Sequence, residues 1–289
     1  MTTPTISVIV GGIETALSTL GALVGHVGWG MPPIDSYSER SPFQHGDTPA
    51  GFTLAPRIGH LVFKMPLADM AAMYTLRSQL LTLFSPLYTE ILKFVTTEGT
   101  RCFDCKYVGE MGLDWAVEDW AAQKFVVALK ASDPTCYDPA GEAWTFGLSG
   151  GTDTMLVPTT MDPGMTVGAS TIDAHKTIDY HGNWISYPFI RITGPIHDAI
   201  VENETTDEIL DFTGITIAAA HYYDIDCRYG HKTVIDNHGT NKIADLTAAS
   251  DLATFHFAEN QINSIHVTGS AVTAATKVEI SYYERWLGI

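Results

Sequence analysis

Several side-chain groups in this chain have the types and spacing to do chemistry, and each can be weighed on its own residues. Gly147-Leu148-Ser149-Gly150-Gly151 satisfies the Gly-x-Ser-x-Gly pattern that hydrolases use to expose a serine nucleophile. That pattern works only on a tight turn between a strand and a helix. Thr152 to Gly164 holds two prolines and no helical period, so Ser149 is expected in a linker. Cys102-Phe103-Asp104-Cys105 has the spacing of half a zinc site or of a redox pair. A structural zinc site needs two further ligands, and a redox pair normally opens a helix. Strands flank this segment, so two neighbouring strand cysteines are expected.

Asp224-Ile225-Asp226 puts two carboxylates on one strand face, which could bind calcium, but it lacks the Gly and downstream Glu of a calcium loop. Among eleven histidines no His-Glu-x-x-His arrangement or other compact ligand cluster is visible; His181, His231 and His238 sit in Gly-rich turns. Asn203-Glu204-Thr205 has the form of a glycosylation acceptor and reads as a turn, and neither nucleotide-binding Gly pattern occurs. The expectation is no catalytic residue, no cofactor and no metal.

The charge narrows the classes of partner. Residues 1–145 carry 15 acids and 9 bases, net -6, and residues 146–289 carry 18 and 7, net -11, which together give the formal -17. Such a field repels phosphate, and this excludes a nucleic-acid-binding role. With 45% hydrophobic and 17% charged residues the chain is a folding one, and its 289 residues suit two domains. Four scattered cysteines suit reduced thiols and assembly in a cytoplasm. Ile6 to Gly25 is apolar but contains Glu14, and no Lys or Arg precedes Arg40. It is expected to be a strand and a Gly-punctuated connection with helical character, neither a signal peptide nor a span.

The elements that would position these residues are mostly strands. One helix is expected from Leu67 to Phe84, where Leu67, Met70, Met73, Tyr74, Leu80, Leu81 and Phe84 recur at helical steps between Pro66 and Pro86. Around it strands are expected at 58–65, 91–96, 106–109, 113–120 and 124–131. Phe125, Val127 and Leu129 alternate with Lys124, Ala128 and Lys130 as in a half-buried antiparallel strand. Turn formers between about 132 and 175 mark a junction. Beyond it short β-rich runs at 186–193, 208–212, 213–218, 222–227, 232–236, 254–257, 263–268 and 276–286 suggest an antiparallel sandwich. The fold class expected is mainly β with one or two helices, divided into 1–140 and 141–289.

The order of segments over the whole chain carries a family resemblance. In the second half the resemblance rests on the run from Gly182-Asn183-Trp184 to Gly194-Pro195, then Tyr223-Asp224-Ile225-Asp226, Gly239-Thr240-Asn241 and the closing Tyr282-Tyr283-Glu284-Arg285-Trp286-Leu287-Gly288-Ile289. In the first half it rests on Gly28-Trp29-Gly30-Met31-Pro32-Pro33, Gln44-His45-Gly46-Asp47, Pro56-Arg57 and the helix with Arg77, Leu80 and Leu81. In this order of segments the chain resembles the distal tail proteins of long-tailed phages, and the resemblance implies a ring-forming N-terminal β domain and a C-terminal galectin-like β-sandwich. It also implies a hexameric ring in the virion tail, between the tail tube and the tip hub or fibre proteins, with no membrane partner. Arg77 is the candidate subunit-interface residue, since its guanidinium suits a carboxylate across an interface. The alternative is a carbohydrate-binding module or adhesin for host glycans, in which Trp184 or Trp286 would stack on sugar. The lectin motif of His, Asn and Arg on neighbouring strands is not present as a run. A cell-wall hydrolase would need a placed carboxylate pair, and no motif supplies one.

Overall fold

A computed structural model describes residues 4–20, 22–66, 70–109, 122–147 and 171–289. The expected strand at 113–120, most of the expected linker with Ser149, and Leu67 lie outside them. The chain divides into one unit of Met1–Pro139 with Arg285–Ile289, and a second of Ala140–Glu284. The expected division assigned everything past 140 to the second unit, whereas the closing pentapeptide belongs to the first.

The first unit opens with strands β1 (Thr5–Val10), β2 (Ile13–Ala16) and β3 (Ala22–Val27). This corrects the helical connection expected after residue 10: Gly11 and Gly12 adopt positive φ and turn β1 back on β2, and only a single 3₁₀ turn, Leu17–Thr19, follows. Next come β4 (Ile34–Glu39), β5 (Thr48–Leu54), β6 (Arg57–Pro66) and helix α1 (Met70–Leu83). Strands β7 (Glu90–Thr96), β8 (Gly99–Tyr107), β9 (Ala122–Ala131) and β10 (Cys136–Tyr137) complete this run. Seven strands pair antiparallel in the order β2-β1-β7-β8-β9-β6-β3, while β4 and β5 pair only with each other. On β9, Phe125, Val127 and Leu129 face the core as their alternation predicts. Leu80 and Phe84 carry the helix onto the sheet's core, with Leu76 and Leu83 packed beside them. Tyr74 and Leu81, expected on that packing stripe, are more than half exposed, because the line through 76, 80 and 83 occupies the buried face.

Trp29 is the largest side chain of this core, wedged between Phe94 and Phe103 at 5.7 and 5.1 Å between ring centroids. Its indole lies directly on Gly59, where any Cβ would collide with the ring. Gly59 is thereby fixed by packing.

The second unit is a sandwich of two antiparallel sheets. One orders β11 (Glu142–Gly147), β19 (Lys277–Tyr282), β13 (Phe189–Thr193), β16 (Tyr222–Asp226) and β17 (Thr233–Asp236). The other orders β12 (Ile172–Tyr180), β18 (Gln261–Ser270), β14 (Ile196–Asn203) and β15 (Glu208–Ile217). Their inner faces share one apolar core that includes Tyr180, Ile190, Phe212, Ile225, Phe255 and Val267. Residues 208–217, expected to divide between two strands at 208–212 and 213–218, form one. The segment 254–257 is not a strand but meets Ser186 in a single bridge through Phe257.

Strand β20 (Arg285–Trp286) lies against β10, with Tyr137 opposite Arg285 and Cys136 opposite Trp286. The run expected as one strand at 276–286 is thus two, one in each unit.

Candidate assembly surfaces

The reactive pairs suggested by sequence do not assemble into reactive sites. Cys102 and Cys105 lie three apart on β8 and so point to opposite faces, which prevents them from sharing one ion. Both are buried, and burial pushes the Cys102 thiol up to about 12 and Cys105 further still, so neither is a nucleophile at neutral pH. Asp224 and Asp226 are each consumed by a guanidinium. Arg191 grips Asp224 through Nε and Nη2 at 2.6 and 2.8 Å, and Arg228 grips Asp226 at 2.9 and 2.7 Å. Asn203 is fully buried, donating its amide to the His256 carbonyl at 2.7 Å, which leaves no room for a glycan. Of the two tryptophans that could stack on sugar, Trp184 is half-buried, and Arg101 covers Trp286 with its guanidinium 3.3 Å from the ring. Ser149 lies outside the described residues.

The conspicuous chemistry of the first unit is exposed apolar surface. Among the described residues fifteen of the twenty exposed large hydrophobics belong to it, although the two units are nearly equal in length. A soluble monomer does not usually gather such residues on one half. The β4–β5 ribbon carries several: Ile34, Tyr37 and Phe52 along it and Phe43 wholly exposed near its tip. Ser36 pairs with Phe52 and Ile34 with Leu54, so one face of the ribbon is apolar. Tyr37 and Thr53 join hydroxyls at 3.0 Å on the other. A two-stranded ribbon open on both faces is marginal by itself and gains stability from a cover. The outer face of α1 adds Tyr74 and Leu81, with half-buried Arg77 between them. No ion pair of Arg77 is formed among the described residues.

By contrast, one sheet edge of this unit is blunted. On β2, Glu14 accepts from Ser7 at 2.6 Å and from Lys93 at 3.0 Å, and these contacts hold its carboxyl below the usual range. A short edge strand with a fixed charge discourages pairing by another chain.

The closing pentapeptide completes the unit from within. Buried Arg57 donates Nη1 to the Gly30 carbonyl at 2.9 Å and Nη2 to the Leu287 carbonyl at 2.7 Å, with its guanidinium 4.8 Å from the Phe103 ring. The Ile289 amide donates to the Trp29 carbonyl at 3.2 Å. Arg285 pairs with Asp133 and donates Nε to Thr135 at 3.0 Å. Gly288 sits so close to Gly30 that a Cβ would meet its carbonyl oxygen at 2.6 Å. The segments Gly28-Trp29-Gly30, Pro56-Arg57 and Arg285-Trp286-Leu287-Gly288, far apart in sequence, therefore meet at one clasp.

The sequence matches no protein-family model, and no curated protein matches it. Among solved structures, the SPP1 Dit protein, described as a paradigm of the hub adsorption apparatus in phages infecting Gram-positive bacteria, superposes with a TM-score of 0.65 at 13% identity. The match covers 97% of this chain and 98% of that one. The chain has the Dit fold. Two structures of the phage P2 baseplate in its activated conformation, with Ca and with Sr, align over the same shares at 10% identity with TM-scores of 0.48 and 0.45. The Dit fold accounts for both units and for the mainly β class, so the resemblance drawn from segment order agrees with the three-dimensional likeness.

Proposed function

We propose that this chain is a non-enzymatic structural protein of a phage tail tip. In this reading the first unit forms a hexameric ring that joins the tail tube to tip hub or fibre proteins in the virion. The observation that carries it is the concentration of exposed apolar side chains on the first unit, above all the open β4–β5 ribbon and the Tyr74–Arg77–Leu81 face. A ring built from identical subunits mates two different patches of each chain with closure. Interfaces of that kind bury more than about 1,000 Å² and are led by aromatic and Arg side chains. The Dit fold and the inert thiols support a structural role over an enzymatic one.

Light scattering on the purified chain tests this. Wild type is expected at a mass several times that of one chain. Arg77→Glu, which sets an unpaired charge on the helix face, is expected to shift the population to monomer while circular dichroism stays unchanged. Equal masses for the two would remove Arg77 from the interface. A wild type that stays monomeric at high concentration would count against a self-forming ring.

A further inference from the structure

Two histidines that are 91 positions apart in sequence stand face to face on the outer surface of the second unit. Strands β12 and β18 place His175 opposite His266, and their rings stack at 3.9 Å with planes 8° apart. Asp173, two residues before His175 and so on the same face, brings Oδ1 to 2.8 Å from His266 Nε2 and 3.9 Å from His175 Nε2. The far sides of both rings are also engaged. His175 Nδ1 lies 3.3 Å from Glu204, and His266 Nδ1 lies 3.6 Å from Glu202, its register partner on β14. Glu204 is in turn held by the Ser264 hydroxyl at 2.6 Å.

We propose that Asp173, His175 and His266 form a binding site for a borderline divalent cation of the zinc type. Both Nε2 atoms converge on the Asp173 carboxylate, and the three ligand atoms lie within 4.8 Å of one another. Tetrahedral ligation at zinc distances requires ligand atoms roughly 3.3 Å apart. The observed 2.8 and 3.9 Å bracket that value; because the two ring planes are only 8° apart, both nitrogens face one ion only after the rings swing well out of their stack. Each Nδ1 facing a carboxylate is the arrangement that fixes the tautomer of a metal-bound imidazole and raises its basicity. Three carboxylates crowd the two rings in four ring–carboxylate approaches, and no Lys or Arg pairs with Asp173, Glu202 or Glu204 among the described residues, so a divalent cation would offset charge that no basic side chain there meets. Two nitrogens and one carboxylate favour zinc or cobalt over calcium, which takes six to eight oxygens. The ion would tie edge strand β12 to its neighbour β18, independently of any ring.

The test is titration of the untagged, metal-free full chain with Zn²⁺, Co²⁺ and Ca²⁺ by calorimetry, with the metal content counted after dialysis. One Zn²⁺ per chain is expected, with Co²⁺ giving the visible absorption of a tetrahedral site and Ca²⁺ giving no heat. His266→Ala and His175→Gln are expected to weaken zinc at least about tenfold, since even outer partners of a metal site are worth 10–100-fold. His45→Ala, on an exposed loop of the first unit, leaves it unchanged. Circular dichroism of both cluster variants guards against misfolding, and Glu204→Gln, a milder change, is expected to weaken zinc without touching a ligand. Undiminished zinc binding in both His variants, binding of calcium as tightly as zinc, or no zinc bound at all overturns the assignment.

Discussion

Burial leaves Glu90 with neither carboxylate oxygen at hydrogen-bond geometry, only weakly helped by the backbone amides of Glu90 and Tyr107, and pushes its carboxyl up to about 6 from 4.5. A carboxyl whose folded value is raised favours the folded state while it is protonated. That contribution is complete below about pH 4.5 and is lost as the pH rises through about 6. The loss amounts to about 2 kcal/mol. Glu90→Gln should therefore be more stable than wild type by about that amount near pH 8 and lose the advantage near pH 4. Urea midpoints of the two proteins across this range check it; curves that stay parallel would show that Glu90 is not the group titrating. Nothing in Tyr88-Thr89-Glu90-Ile91 marks Glu90 as buried, since an acid beginning a strand is ordinarily wet. The same blindness hid His175 and His266, which only strand register unites. The cysteines were legible as neighbouring strand residues, although the strands expected at 91–96 and 106–109 only flank them and β8 runs through both.

Elements were legible where one face is buried and the other is not. The periods of α1 and β9 come from that asymmetry, and both stand where expected. Which side of α1 is buried was not legible, since Tyr74 and Leu81 continue the apolar spacing on its free side. Strands β4 and β5 were not legible as strands: both faces of their ribbon are open, and the apolar residues of its one apolar face, Ile34, Phe52 and Leu54, are too few to make a run. Strand β20 was read as the end of β19. What separates them is the clasp on Arg57, a contact across 230 positions. Deleting Arg285–Ile289 should cost on the order of 3 kcal/mol, because a buried guanidinium loses one of its two carbonyl acceptors and Gly30 loses its cover. A fall in urea midpoint with the strand content retained is the expected result. An unchanged midpoint would mean that water replaces Leu287 without loss.

At the scale of the whole molecule, a β-rich class was legible from the short alternating runs and turn density, and the order of motifs pointed to a fold that the structure shares with SPP1 Dit. The path of the chain was not legible: it leaves the first unit after Pro139 and returns to it at Arg285. Tyr137 and Arg285 are register partners, so the two crossings lie side by side. A chain in which Pro139 is joined to Arg285 through two or three glycines should fold as the first unit alone, the join forming a hairpin between β10 and β20. Its mass in light scattering should exceed that of one shortened chain if this unit carries the ring surfaces. An insoluble or unfolded product would show that the first unit depends on the second.

The clasp also sets an order of events during synthesis. At about 5–20 residues per second, on the order of ten seconds separate the making of β10 from the making of its partner β20. Throughout that interval Arg57 has only the Gly30 carbonyl to satisfy it, and Trp29 lacks the Ile289 amide that meets its carbonyl. The second unit, which needs no residue beyond Glu284, can be complete before the first is. A chain that lacks Arg285–Ile289 therefore carries its defect in the first unit, the one with the exposed apolar surface, while the second unit keeps every residue it contains.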